Sequence, residues 1–229
     1  FSLNKVSYSY SGVSTNSLTE ASIRVRKGSM VGIIGESGSG KSTLVDLALG
    51  LLEPSEGEIL LDGGKIGSEI SRSAWQNMIG YVPQEIHLMD ETLRSNVALG
   101  IESEKIDDER VWQCLEDASL GEFARGLPLA LDTMMGERGT RLSGGQRQRV
   151  GIARALYHDP SFIVFDEATS SLDAETEESV MQTVCDLQKE RTFLIVAHRM
   201  ETLRNCEVIY RIREGRVISS GNLEEMRDC

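Results

Sequence analysis

The chain predicts an α/β fold: a mostly parallel core sheet with helices on both faces, an antiparallel β unit, and a helical insert. Two wholly apolar runs of strand length, Met30-Val31-Gly32-Ile33-Ile34 and Phe162-Ile163-Val164-Phe165, read as buried strands. Between them, residues of about 84 to 150 are rich in helical spacing. From about 151 onward strand and helix alternate, the pattern of a parallel sheet.

Each element has a local reason. Residues 18–25 read as a strand followed by a hairpin turn at Arg26-Lys27-Gly28-Ser29. Residues 58–61 form another strand that ends in the glycine turn Asp62-Gly63-Gly64. Residues 107–120 place Val111, Leu115 and Ala118 at helical spacing. A helix is predicted over 174–190 and a strand over 193–197. A terminal β unit, 208–212 and 216–219, turns at Glu214-Gly215. The organisation is therefore three-part: 1–83 and 151–229 form a core, and 84–150 the helical insert. No repeat or low-complexity tract interrupts it.

A length of 229 residues suits one large domain, or a core with a subdomain. The net charge of −12 disfavours a nucleic-acid backbone as partner, which wants a basic face. Cys114, Cys185, Cys206 and Cys229 are scattered with no CxxC spacing, and read as reduced thiols in a cytosolic setting. The longest apolar stretches are strand-sized, far short of a membrane span. The chain opens at Phe1 on its first predicted strand, without initiator methionine or signal peptide, and is expected to be cut from a longer protein with a membrane part, although a trimmed soluble subunit would look similar.

Chemistry concentrates in Gly35-Glu36-Ser37-Gly38-Ser39-Gly40-Lys41-Ser42, which follows the first buried strand and opens a helix. Its glycines let the backbone curl so that amide hydrogens point at phosphate oxygens, and the helix adds its positive dipole end. Lys41 would reach the terminal phosphates and Ser42 would bind magnesium. The partner of such a loop is a carboxylate at a strand tip. Asp166 supplies it, placed to hold the magnesium shell, and Glu167 beyond it can polarise a water. A second glycine-rich turn, Leu142-Ser143-Gly144-Gly145-Gln146, opens another helix.

On these residues the chain resembles the nucleotide-binding domain of an ATP-binding cassette (ABC) transporter over nearly its whole length. Val6-Ser7-Tyr8-Ser9-Tyr10 is similar to the segment whose last aromatic, Tyr10, stacks on adenine. Residues 35–43, ending in Thr43, are similar to the Walker A loop, and Gln84 in Tyr81-Val82-Pro83-Gln84-Glu85 to the Q-loop glutamine. Residues 142–146 resemble the signature sequence. Residues 162–166 resemble Walker B, with Glu167 the catalytic base. Ser170-Ser171-Leu172-Asp173 resembles the D-loop, and His198 in Ala197-His198-Arg199 the switch histidine.

The resemblance implies a RecA-like P-loop NTPase core, ATP and Mg2+ as ligands, and hydrolysis by direct water attack. It implies Ser42, Gln84 and Asp166 around the metal, Glu167, His198, Lys41 and Gln84 as catalytic residues, and Asp173 at the nucleotide. It also implies a symmetric homodimer, in which Ser143 and Gly145 of one copy offer a hydroxyl and an amide to the ATP of the other, and Gly144 and Gln146 belong to the same contact. A transmembrane domain is the further partner, on the cytoplasmic face of the cell (inner) membrane, this piece itself being soluble. A soluble ABC-type ATPase of DNA repair or translation is the alternative, but the paired cassettes or coiled-coil arms usual there are not visible.

Thr133-Met134-Met135-Gly136-Glu137-Arg138-Gly139 resembles the exporter motif Thr-x-Val-Gly-Glu-x-Gly, with Met135 in place of valine. Glu91-Thr92-Leu93-Arg94-Ser95-Asn96-Val97 resembles the exporter segment after the Q-loop. Ser73-Ala74-Trp75-Gln76 is faintly similar to flippases for lipid-linked saccharides. Plainer roles suit the rest: His87 and His158 on the surface, 102–109 as a solvated acidic face, Arg147 and Arg149 in ion pairs on the helical lobe, Trp75 and Trp112 in packing.

Overall fold

The computed structural model describes residues 1–12, 16–136, 142–170, 172–188 and 190–227. Glu137, Arg138 and Gly139 of the exporter-like motif, Ser171 of the D-loop-like run and Cys229 lie outside the described residues. The chain divides into two compact units, 1–79 with 161–167 and 190–229, and 80–160 with 168–189.

In chain order the elements are β1 (Ser2–Tyr8), β2 (Leu18–Arg24), β3 (Met30–Gly35), α1 (Lys41–Ala48), β4 (Glu56–Leu61), β5 (Gly64–Lys65), α2 (Arg72–Gln76) and β6 (Ile79–Val82). After them come α3 (Leu93–Val97), α4 (Asp108–Asp117), α5 (Gly121–Arg125) and α6 (Gly144–Leu156). The rest are β7 (Phe162–Asp166), α7 (Ala174–Leu187), β8 (Thr192–Ala197), β9 (Val208–Arg213), β10 (Arg216–Gly221) and α8 (Leu223–Arg227).

The first unit holds an antiparallel sheet in the order β2-β1-β4-β5 and a core sheet running β10-β9-β3-β8-β7. In the core, β3 pairs in parallel with β8 and β9, and β7 with β8, whereas the β9–β10 hairpin is antiparallel. The mostly parallel α/β core with an antiparallel companion is thus the fold expected from the sequence. One turn reads differently. Arg26 to Ser29 does turn, with the Ser29 amide bonded to the Arg26 carbonyl at 3.1 Å. It makes no hairpin, because β2 belongs to the antiparallel sheet and β3 to the core. A tight turn fixes chain reversal, and partner choice is settled by burial instead. Residues 30–33 are all buried, with Met30, Val31 and Ile33 supplying the apolar side chains, whereas β2 alternates and keeps one face wet.

Packing fixes α1 against this sheet. Leu44 and Leu47 join Ile33, Phe162, Val164, Leu194 and Val196 in one buried cluster. Trp75, 1% exposed, stacks on Phe1 with ring centroids 5.3 Å apart and donates its indole N–H to the Ala48 carbonyl at 2.8 Å. It is the packing residue expected, and it also satisfies a helix-end carbonyl.

In the second unit α4 packs on α6, with Val111, Cys114, Leu115, Val150, Ala153 and Leu156 buried. Asp107 caps α4 by accepting the Arg110 amide at 3.1 Å, and Ser119, in left-handed conformation (φ 53°), closes its C-terminal end. The acidic run is therefore more than a solvated face: besides that cap, Asp108 lies 2.8 Å from Arg94 Nε. Arg147 and Arg149 donate to neutral oxygens where ion pairs were expected. Arg147 reaches the Leu142 carbonyl, and Arg149 the Ala118 carbonyl, Thr183 and Ser179. Their neighbours already offer lone pairs, and burial pushes the Arg149 guanidinium pKa down. Among the described residues no helix is long and apolar enough to cross a membrane.

Candidate nucleotide site

Parallel pairing brings three strand tips to one end of the core. Gly35 ends β3, Asp166 pairs with Val196, and His198 follows β8 directly. Ligands of open α/β sheets bind beyond these carboxyl ends. The loop between β3 and α1 has the shape of an anion cradle. Gly38 and Gly40 take φ values of 76° and 107°, which side chains other than glycine's tolerate poorly. A Cβ at Gly38 would meet nothing within 4 Å, so the loop is open on that side.

No side chain caps the start of α1 and no acidic residue stands in its first turn, so its first amides and its dipole are available to an anion. Among the described residues the buried Ser39 hydroxyl has no partner. Ser42 is exposed on the same first turn, and Tyr10, 40% exposed, sets its hydroxyl 3.4 Å from Thr43 Oγ1. Ser42 and Asp166 offer hard oxygen donors, the chemistry that suits magnesium.

Charged groups at this end hold one another. The Lys41 ammonium donates to the Gly35 and Glu36 carbonyls at 2.9 and 3.0 Å and lies 3.5 Å from Glu167 Oε1. The other carboxylate oxygen of Glu167 is 2.8 Å from His198 Nε2. Glu167 is only 12% exposed, and its backbone is left-handed (φ 48°), pinned by an amide bond to the Val196 carbonyl at 2.9 Å. A non-glycine residue held there stores conformational energy at the point where chemistry is expected.

The remaining candidates lie in the second unit. Ser143 caps α6: its Oγ accepts the Gln146 amide at 3.2 Å while Gln146 Oε1 accepts the Ser143 amide at 2.9 Å. The cap uses the hydroxyl as acceptor, which leaves its proton to donate elsewhere, and it leaves out the amides of Gly144 and Gly145. Gly145 also has a packing reason that the sequence reading missed: a Cβ there would overlap Thr176 of α7. Asp173 caps α7, accepting from the Thr176 amide at 3.0 Å and its hydroxyl at 2.7 Å. These bonds hold the Asp173 carboxyl below the usual carboxylate range. Gln84 donates its amide to Ser170 Oγ at 3.5 Å, and its carbonyl accepts from Gln148. Ser170 and Gln148 were not singled out as functional; Ser170's signal was its place inside the D-loop-like run, and Gln148 lies two residues past the signature-like run.

Fold and site together define a P-loop nucleotide-binding protein. Residues 18–170 match the family model described as ABC transporter, and the chain belongs to that family as one of its ATP-binding domains. It is 40% identical over 224 residues to an ATP-dependent lipid A-core flippase of Cupriavidus metallidurans, covering 97% of this chain and 38% of that protein. It is 39% identical over 209 residues to a multidrug resistance ABC transporter ATP-binding and permease protein of Lactococcus lactis, covering 91% and 35%. A bacterial Atm1-family ABC exporter with ATP bound superposes with a TM-score of 0.88 at 34% identity, over 100% of this chain and 40% of the exporter chain. The chain thus spans well under half the length of these relatives.

Proposed function

We propose that this domain hydrolyses ATP while closing on a second copy of itself, and so drives an attached transmembrane domain that exports or flips its cargo. The observation that carries this reading is the Lys41, Glu167 and His198 cluster at the mouth of the phosphate loop. When a triphosphate enters, Lys41 exchanges two neutral carbonyls for phosphate oxygens, a stronger charge-assisted contact. The carboxylate of Glu167 then loses its cationic neighbour. Held by His198, it takes a proton from the water whose oxygen attacks the γ-phosphorus, as the bond to the β-bridging oxygen breaks and ADP departs. The amides of residues 36–41 stabilise charge on the transferring group. Ser42 and Asp166 would hold magnesium, with Gln84 assigned to its shell by resemblance, and the metal's charge would offset that of the triphosphate.

Across the dimer, the spare Ser143 proton and the Gly144 and Gly145 amides are donors suited to the partner's γ-phosphate, with Gln146 holding Ser143 in place and Asp173 alongside. Tyr10 would stack on adenine. The core 1–83 with 151–229 would carry nucleotide binding, and 84–150 the signature. Export or flipping is supported by the relatives' names, and the domain would then sit at the cytoplasmic face of the cell membrane.

The test is Glu167→Gln. It should hold the ATP-bound dimer together while turnover falls about 10²- to 10⁴-fold, the usual weight of a general base. A fully active, monomeric Glu167→Gln protein would refute both the base and the ATP-bridged dimer.

A further inference from the structure

Three residues on one stripe of α6 hold the segment that follows Gln84. Gln148 Nε2 donates to the Gln84 carbonyl at 3.3 Å. Gly151, one turn on, is seated against Ile86 so closely that a Cβ there would overlap the Ile86 side chain. Arg154, a further turn on, donates to the His87 carbonyl at 3.1 Å and to the Asn96 carbonyl at 2.8 Å. The spacing of 148, 151 and 154 is the i, i+3 spacing of one helix face. The same helix begins at the capped Ser143.

We propose that α6 is the rigid ruler that fixes Gln84 relative to Ser143, with Gln148 a positioning residue for ATP hydrolysis. This rests on the catalytic reading above and adds residues to it. A helix interior moves as a body, so a displacement of the Gln84 backbone travels through these three rungs to the residue that caps the helix. Gln148 is the sensitive rung. It is 4% exposed, its Nε2 makes the long hydrogen bond to Gln84, and its Oε1 is buried without a partner among the described residues. Stability alone does not favour that arrangement, since an apolar side chain of like shape would avoid the orphaned oxygen.

That asymmetry gives a clean experiment, with ATPase measured on the complete protein. Gln148→Leu should not lower Tm and should leave the Kd for ATP unchanged. It should reduce kcat about 3- to 10-fold, the scale of one neutral hydrogen bond. Combined with Gln84→Ala it should cause no further loss, because both act through the Gln84 side chain's position. Wild-type kcat in Gln148→Leu, or losses that multiply independently in the double variant, would overturn the proposal. Gly151→Ala supplies a second arm: its loss of kcat should be restored by Ile86→Ala, which reopens the notch, and an unrescued loss overturns the ruler. Normal turnover in Gln84→Ala would instead remove the role given to Gln84 in the catalytic reading, while the Gly151 and Ile86 pair still decides the ruler.

Discussion

Two helices of this chain begin at glycine-rich turns, and their first turns are finished in opposite ways. The N-terminal end of α1 has no side-chain cap, and its far end is tied down, with Trp75 on the Ala48 carbonyl and Gln76 reaching the Leu49 and Gly50 carbonyls. By contrast α6 carries a reciprocal capping box at its start and is tied along its length to the Gln84 segment. An unfinished helix end is costly unless something completes it, so the bare start of α1 is itself a request for an anion. The capped start of α6 needs no ligand to be stable. Its contact with phosphate is therefore conditional, available when a partner presents one, and this suits a surface that must also let go.

The largest expected effect tests how the bare helix is held. Trp75→Ala removes a buried ring and the donor to Ala48 together, and should cost about 3–5 kcal/mol in denaturant unfolding. A loss below about 1 kcal/mol, the range of ordinary surface changes, would mean that α1 is anchored elsewhere. Next in size, Lys41→Ala should raise the Kd for ATP roughly 10- to 100-fold, from the loss of charge-assisted bonds to phosphate. Tm without nucleotide should change far less, because the ammonium's two carbonyl partners lie on half-buried Gly35 and exposed Glu36, which can turn to water, and Glu167 keeps His198. Equal loss in both measurements would make Lys41 a structural residue.

The sequence carried the α1 end of this comparison better than the α6 end. A phosphate loop is a contiguous pattern whose glycines, lysine and flanking strand all sit within a dozen or so positions, so its physics is local. The Glu167 to His198 contact was not anticipated from the sequence, since it depends on β7 lying beside β8 in the register that sets Asp166 opposite Val196. Neither strand's composition encodes that register, because both are apolar on both faces. The three rungs on α6 were missed for a related reason. Gln148, Gly151 and Arg154 share a helical stripe that can be counted from sequence, yet only Gly151 hints at a close neighbour, and nothing local says that it is Ile86. Arg149 shows the complement: its charge suggested acidic partners, but the oxygens that surround it are neutral.

Ser143 lets the two roles of the α6 start be separated. Ser143→Ala removes the cap and the donor proton together, costing about 1 kcal/mol of stability as well as activity. Ser143→Asp keeps an acceptor for the Gln146 amide and adds a charge that the helix dipole favours, so stability should hold. That same charge would face the phosphate, and ATPase should fall at least as far as in the alanine variant. An active Ser143→Asp protein would confine Ser143 to capping.

The smallest effect belongs to Asp173 and depends on sign. Its folded-state pKa is lowered, chiefly by the Thr176 amide and then by its hydroxyl. The contribution to stability is therefore fully present above the ordinary carboxylate pKa, and is lost as pH falls through the lowered folded value. Asp173→Asn keeps an oxygen acceptor for the Thr176 amide but cannot titrate, and asparagine caps helices about as well as aspartate. At neutral pH the two proteins should melt within a degree or so of each other, since asparagine and aspartate are near-equal caps. Below pH 4 or so the wild-type Tm should fall more steeply than that of Asp173→Asn, because only the wild type protonates its cap. Parallel pH profiles would show that the cap is too exposed to matter, and that α7 is held by its packing alone.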